Sequence, residues 1–347
     1  MYRALIDRLE QDGTLRLEEY LTLIQHRESV REYAAQRAVA VRQQYYGNTV
    51  YIRGLIEFTN YCQNNCYYCG LRKDNTALER YRLSVEDIID CADTGYSLGF
   101  RTFVIQGGED AYYSDEMLCE AVSNIKRRHP DCAVTLSLGE RSTESYRRLK
   151  EAGADRYLLR HETANPVHYK RLHPPAMHFE NRLRCINDLK ALGYQVGIGF
   201  MVGSPFQTEK DLAGELLFIK NIAPQMVGIG PFISHKDTPF KHFENGSAEL
   251  TTFLLSLIRL TLPSVLLPAT TALGTIDPLG REKGIAAGAN VLMPNLSPVG
   301  VRKKYMLYDN KICTGEEAAQ CIVCLKKRIA KTGCEIVTDK GDYKHEV

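Results

Sequence analysis

Residues 51–71 read YIRGLIEFTNYCQNNCYYCGL. The opening eight are an apolar, strand-like run, and three cysteines follow it almost at once. Cys62, Cys66 and Cys69 stand in C-x3-C-x2-C spacing. A [4Fe–4S] cluster takes a thiolate on every iron. Three close cysteines leave one iron to be bound by something else. Open coordination is what separates catalytic metal centres from closed structural ones. The competing reading is structural zinc, which pairs two short clips into a tetrahedron. No second clip follows at the usual distance, and after His129 the next histidine is His161, far downstream.

The strand-like run is the first of a series. Others are TFVIQG from Thr102, AVTLSL from Ala133, RYLLRH from Arg156, VGIGFMVG from Val196, MVGIGPFI from Met226, LLPATTAL from Leu266 and ANVLMP from Ala289. Helical patterns separate them. SVEDIIDCADTGYSLG has Ser84 as its N-cap and stops at Gly99, and others begin at Ser114, Ser142, Glu180 and Glu209. Strands alternating with helices predict an α/β chain folded as a (β/α)8 TIM-type barrel, with a doubly wound sheet as the alternative. Residues 1–47, patterned as helix up to Tyr46-Gly47-Asn48, predict an N-terminal helical extension. The barrel is assigned to residues 48–300, and residues 301–347 to a cysteine-bearing C-terminal segment that closes it.

A barrel of this kind carries its chemistry at the C-terminal ends of its strands. Gln106, Gly107, Gly108 and Glu109 follow the second strand; Ser137, Gly139 and Glu140 follow the third; Arg160, His161, Glu162 and Thr163 end the fourth. Gly107-Gly108-Glu109 alone is also what an ordinary turn looks like. Arg160 and Glu162, two apart, share one face of an extended strand. They read either as a salt bridge across the barrel mouth or as a clamp in which arginine grips a carboxylate with two parallel hydrogen bonds. Arg182, in HFENRLRC, is a second candidate for that clamp.

Composition bounds the rest. Of 347 residues, 44% are hydrophobic and 25% charged, as in ordinary globular chains. A net charge of +2 gives no electrostatic case for nucleic acid or a membrane surface. The N-terminal MYRALIDRLEQDG is charged where a signal peptide is apolar, and the best candidate for a membrane span, residues 252–267, is broken by Arg259 and Pro263. Eleven cysteines, clustered in two groups, fit reduced metal-binding thiols and a cytoplasmic location. No long apolar helix face is left over, so a monomer is expected. The second group, Cys313, Cys321 and Cys324 in ICTGEEAAQCIVCLKK, has C-x7-C-x2-C spacing, with Cys334 ten residues on. It suits a second iron–sulfur cluster, or zinc completed by water or an aspartate.

The first triplet, with Tyr68 before its last cysteine, resembles the signature of the radical S-adenosylmethionine (SAM) superfamily. Over nearly its full length the chain also resembles the HydE family of [FeFe]-hydrogenase maturases, through RHETANP from Arg160, MVGIGPFISHKDTP from Met226, PATTALGT from Pro268, GANVLMPN from Gly288 and the C-terminal cysteines. The resemblance implies a [4Fe–4S] cluster on Cys62, Cys66 and Cys69, with SAM chelating the open iron. It implies SAM contacts from Tyr68, Gly107, Gly108, Glu109, Arg160, Glu162 and Arg182. It implies a substrate cavity lined by Gln106, Thr135, Thr270, Thr271, Met293, Tyr305 and Tyr308. The implied substrate is an organometallic Fe(CO)2(CN)–cysteine precursor of the hydrogenase H-cluster, and the implied partners are other maturases and a low-potential electron donor. The second cluster varies in this family. Competing relatives are methylornithine synthase, against which the C-terminal cysteines speak, and biotin synthase, whose inner-strand cysteines are missing from TLSLGE and LLRHET. A non-catalytic iron–sulfur protein is the alternative from another class.

Overall fold

Strand pairings run in a closed circle. In the computed structural model, which describes residues 1–315 and 321–344, the first stave has two segments, Thr49–Ile52 and Gly54–Thr59. Gly54–Thr59 pairs in parallel with Thr102–Gly107, and the ladder continues through Ala133–Ser137, Arg156–Leu158, Gln195–Ile198 and Met226–Val227. Single parallel bridges carry it on, from Met226 to Leu266 and from Pro268 to Val291. Val291–Leu292 then returns to the first stave, Tyr51 opposite Val291 and Ile52 opposite Leu292. The ring closes as a parallel (β/α)8 barrel, which rules out the open doubly wound sheet.

The outer helices start where hydroxyl side chains cap them. Ser84, Ser114, Ser142, Thr208 and Ser247 each accept a hydrogen bond from the amide three residues on. The helix expected from Glu180 begins one residue earlier, at Phe179. The late staves are shorter than their apolar runs suggest. VGIGFMVG and MVGIGPFI each break after four or fewer residues, and their second halves, Met201–Val202 and Gly230–Pro231, form a separate ladder. The cause is a backbone crossing: a Cβ on Gly199 would lie 1.9 Å from the Gly228 carbonyl oxygen. LLPATTAL is strand-like only at its two bridges. Pro268 has no N–H to extend a ladder, and Thr270 caps a helix, Thr271–Ile276.

The N-terminal segment is three α-helices, Tyr2–Asp12, Leu17–Gln25 and Arg31–Tyr46, where one continuous helical pattern was read. Gly13, at φ 65°, ends the first. The helices lie against the barrel's own, with Tyr20 bonded to Thr261 at 3.0 Å and Arg42 donating to the Ile285 carbonyl at 2.8 Å. Among the described residues no helix is long and apolar enough to cross a membrane.

The C-terminal segment touches both ends of the barrel. At the mouth, Lys311 forms a buried ion pair with Glu57 and donates to the Tyr305 carbonyl at 2.9 Å. The other Glu57 oxygen accepts from Asn295 at 2.8 Å. Burial pushes the Glu57 carboxyl up, and the Lys311 charge opposes that. At the floor, Glu335–Val337 adds to the free side of Thr49–Ile52. The following residues cross beneath the staves, where Thr102 and Arg156 donate to the Lys340 carbonyl and Arg156 pairs with Asp342 at 2.6 Å. Tyr343 closes the crossing by accepting from Ser264 at 2.8 Å.

Removing one partner of a buried ion pair strands the other. Lys311→Met is expected to lower unfolding free energy by about 3–5 kcal/mol, and the double change Glu57→Gln with Lys311→Met to recover most of it. Urea titrations of the three variants measure both.

Candidate active site

The cysteine loop leaves the C-terminal end of the first stave as irregular chain, so its backbone groups need partners from elsewhere. Gln63 donates to the Glu109 carbonyl at 2.8 Å, Tyr67 to that of Leu172 at 3.0 Å and Gly70 to that of Leu307 at 2.8 Å. Asn60 bonds the carbonyls of Glu79 and Lys304 at 2.8 and 2.7 Å. Arg80 holds four carbonyls of the same stretch, those of Asn60, Leu71, Arg72 and Asn75. Glycine is required at Gly70, where a Cβ would lie 2.1 Å from the Met306 carbonyl oxygen.

The loop brings Cys62, Cys66 and Cys69 together as free, half-buried thiols. Burial pushes all three up, Cys69 to about 12, and the neighbouring thiols add to the effect at Cys66 and Cys69. Without a bound cation they are neutral; a metal supplies the charge that ionises them. Among the described residues no three His, Cys, Asp or Glu side chains converge as one metal ion requires. Three thiols that meet different irons of a cluster have no such requirement. Met177 sits with its sulfur 3.6 Å from that of Cys66.

Gly107-Gly108-Glu109 passes directly behind the first cysteine. A Cβ on Gly108 would come 2.1 Å from the Tyr61 carbonyl oxygen and 2.7 Å from Cys62 Cβ, so only glycine fits. The Glu109 carboxylate faces the protein, accepting from the Glu140 amide at 3.0 Å and from Gln63 Nε2 at 3.3 Å.

Arg160 and Glu162 do meet, Nη2 to Oε2 at 3.1 Å, but not by strand alternation. The fourth stave stops at Leu158, and Glu162 takes φ 66°, in the left-handed region. Its amide bonds the Gly199 carbonyl at 3.0 Å. Behind this turn His161, fully buried, bonds Glu215 at 2.7 Å. Despite their proximity, Arg160 Nε and Nη2 and Glu162 Oε2 are shielded from solvent and have no well-directed hydrogen bond. Buried polar atoms without a hydrogen bond are costly, and turning these side chains toward a polar ligand at the barrel mouth would supply the missing bonds. Negative charge on Glu162 contributes to the upward shifts at Cys69 and Tyr68, so clamp and cysteines share one electrostatic neighbourhood. Arg182 is engaged differently, bonding Glu140 at 2.6 Å and the Arg160 carbonyl. It props the Arg160 turn from behind.

Tyr68 packs with Leu172, Met201, Phe232 and Phe240, and its hydroxyl lies 3.2 Å from His173 Nε2. The other ring nitrogen of His173 is 3.0 Å from the Tyr169 carbonyl, which can only accept, so Nδ1 carries the proton and Nε2 accepts from Tyr68. Burial lowers His173 to about 3.

The residues expected to line a cavity divide. Gln106 bonds Tyr305 at 3.4 Å, and Tyr308 is half-buried with its hydroxyl near Thr275. Thr135 is fully buried with its hydroxyl unpaired. Thr270 caps a helix through the Leu273 amide at 3.4 Å, and Thr271 is that helix's first residue. Met293 packs on the apolar group of Tyr46, Tyr51, Met226, Leu266 and Val291. The C-terminal cysteines, read as ligands of a second cluster, lie apart from this site. Cys321 and Cys324 bring their sulfurs together at the start of the helix Ile322–Ala330, and Cys313 lies with its sulfur 2.8 Å from Arg281. The C-x2-C spacing puts two sulfurs side by side at a helix start, where they can bond each other. The residues between, 316–320, lie outside the described residues.

Sequence reading missed Asn60, Arg80, Met177, His173, Lys311 and Arg53. Arg53 is fully buried at the break in the first stave, its Nη1 2.7 Å from Met226 Sδ. A charged residue between two strand-like runs was the available signal there. For Arg80, whose partners are all backbone carbonyls, there was none.

Residues 56–219 match the family model of the radical SAM superfamily. The [FeFe] hydrogenase maturase subunit HydE of Thermotoga maritima is 46% identical over 344 residues, 99% of this chain and 97% of that protein. 3-Methylornithine synthase of Methanosarcina acetivorans is 28% identical, covering 85% of this chain and 82% of its own length. A crystal structure of methylornithine synthase (PylB) superposes with a TM-score of 0.81 at 26% identity, covering 96% of this chain and 97% of that one.

His173 gives the site a pH signature. Its folded value, about 3, lies below the ordinary 6.5, so the unfolded chain binds the proton first as pH falls. This contribution to stability is complete above pH ~6.5 and is lost progressively toward pH ~3. Urea midpoints measured across that window are expected to fall less steeply in His173→Gln than in the native protein.

Proposed function

The chain belongs to the radical SAM superfamily and, within it, to the family of the [FeFe] hydrogenase maturase subunit HydE, and on that premise we propose that Cys62, Cys66 and Cys69 hold a [4Fe–4S] cluster whose open iron takes SAM. The buried Arg160–Glu162 pair, short of hydrogen bonds and in the electrostatic neighbourhood of the three thiols, is the observation that carries this reading. With both groups bound, an electron passed to the SAM sulfonium releases methionine and a 5′-deoxyadenosyl radical.

This chain's residues bind, orient and shield. Arg160 grips the SAM carboxylate, and Glu162 accepts from the hydroxyls of its ribose. The Gly107-Gly108-Glu109 backbone offers carbonyls to the amino group. Tyr68, fixed by neutral His173, borders the adenine, and Arg182 positions Arg160 through its carbonyl. The loop around Cys62, Cys66 and Cys69 and the Tyr305–Tyr308 stretch lie over the mouth, bonded through Gly70 and Leu307, and keep water from the radical.

The substrate follows from the family. We take it to be the organometallic Fe(CO)2(CN)–cysteine precursor, in a barrel cavity lined by Gln106, Thr135, Thr270, Thr271, Met293, Tyr305 and Tyr308. The work is shared with other hydrogenase maturases. A second cluster on Cys313, Cys321 and Cys324 is not needed for the radical step. The likeness to methylornithine synthase keeps a second reading in play, a carbon-skeleton rearrangement of lysine. Lysine consumed with SAM would favour it.

Anaerobic reconstitution, dithionite reduction and SAM addition test the assignment. The expected outcome is an EPR signal that shifts on SAM addition, with 5′-deoxyadenosine formed. Both disappear in Cys62→Ala, while Cys321→Ser with Cys324→Ser retains both. Arg160→Ala is expected to raise the KM for SAM about 10- to 100-fold, the worth of a charged hydrogen-bond pair. An unshifted signal with no cleavage product would return the chain to cluster storage.

A further inference from the structure

One side of the barrel mouth carries aromatic rings for which the site has no use. Phe206 and Phe243 are 40% and 38% exposed, with ring centroids 5.2 Å apart. Both lie edge-on to the buried ring of Phe240, at 6.0 and 5.2 Å. Phe240 in turn meets Tyr67, the residue after Cys66, at 6.0 Å. A continuous row of rings thus runs from solvent to the cysteine loop. Phe206 holds φ 70°, a backbone conformation that bulky side chains rarely take. Gln207 fixes this turn, accepting from Gly203 at 2.7 Å and donating to Met201 at 2.9 Å. The fold maintains local strain that leaves an aromatic ring in water, a combination found at functional surfaces.

The surroundings of these rings are basic. The guanidinium of Arg171 lies 3.5 Å over Phe206. On the same short helix, Pro166–Leu172, Val167 is 70% exposed one turn before Arg171, and Lys170 is exposed beside it. Lys236 and Lys241 are exposed on the segment that carries Phe240 and Phe243. Asp237 and Glu244 are the acidic residues of that segment, and Asp309 packs against it, accepting from the Lys236 amide at 2.8 Å. Among the described residues none of Lys170, Arg171, Lys236 and Lys241 is in an ion pair. Exposed aromatic rings with arginine at the centre and unpaired lysines at the rim have the composition of a protein–protein contact. The excess of positive charge selects an acidic partner and steers its approach.

We propose that the face formed by Phe206, Phe243 and Arg171 is the docking surface for an acidic, low-potential, one-electron carrier protein. This rests on the radical SAM reading, since the recipient is the cluster on Cys62, Cys66 and Cys69. The carrier gives up one electron and leaves oxidised by one; the cluster is reduced by one; no bond or proton changes at the surface. The contact is a transient redox encounter, smaller than about 1,200 Å² and weakened by salt.

A flavodoxin, a small acidic flavoprotein, is the probe. Its oxidised form is titrated calorimetrically against the reconstituted enzyme at low and moderate salt. SAM cleavage is then driven in parallel by reduced flavodoxin or by dithionite. Arg171→Glu with Lys241→Glu is expected to weaken flavodoxin binding by about tenfold or more and to flatten its salt dependence. Flavodoxin-driven cleavage should fall with it, while dithionite-driven cleavage is unchanged. Phe243→Ser should weaken binding and keep the salt slope. Unchanged affinity and unchanged flavodoxin-driven rate in the charge-reversed enzyme would overturn the proposal. So would a native dimer in sedimentation that Phe243→Ser splits, because a second copy would then own the face. Failure of the native enzyme to cleave SAM with dithionite would instead sink the radical SAM reading, and the titration would still decide whether flavodoxin docks here.

Discussion

Backbone amides and carbonyls taken out of water must be bonded, and around Cys62, Cys66 and Cys69 there is little regular structure to bond them. Their partners come from the loop after the second stave, the helix ending at Leu172, the Arg80 side chain and the stretch around Leu307. These parts are distant in sequence and adjacent only when the barrel is closed. The spacing of the thiols is therefore a property of the whole fold. Lys311 and Glu57 hold the C-terminal contribution in place from inside the barrel, and Gly70 and Gly108 permit the close approaches.

The same economy governs charge. Arg160 and Glu162 pair with each other and keep hydrogen-bonding capacity unused, whereas Arg182, Glu140, His161 and Glu215 are occupied behind them. The first pair is held in a left-handed turn that a strand could not provide. The second group fixes that turn. Neutral His173 performs a similar service for Tyr68, because its Nδ1 proton is committed to a carbonyl and its Nε2 must accept.

Much of this was legible in sequence because it is local. Cysteine spacing, hydroxyl caps at Ser84, Ser114 and Ser142, and period changes between strand and helix are all properties of neighbouring residues. What escaped depends on contacts across the chain. Arg80 bonds only main-chain carbonyls, so nothing in its surroundings distinguished it. The pairing of Arg160 with Glu162 was anticipated for the wrong reason, since a positive φ at a glutamate leaves no mark in an apolar run. The shortened late staves reflect the crossing of Gly199 and Gly228, two glycines that sequence shows only as permissive. The capping role of Thr270, whose hydroxyl accepts from the amide three residues on, was likewise not anticipated.

The first stave is bordered on one side by Val291–Leu292 and, along its lower half, on the other by Glu335–Val337. Both partners follow it in the chain by more than two hundred residues. Through most of synthesis Thr49–Ile52 is an apolar strand with bare edges, the kind of segment that pairs with other chains. The ring closes only once Val291–Leu292 has been made, and the second edge is covered only when the floor strand follows. Chain order thus makes the bonded setting of the cysteine loop, which includes the carbonyl of Leu307, one of the later features to form.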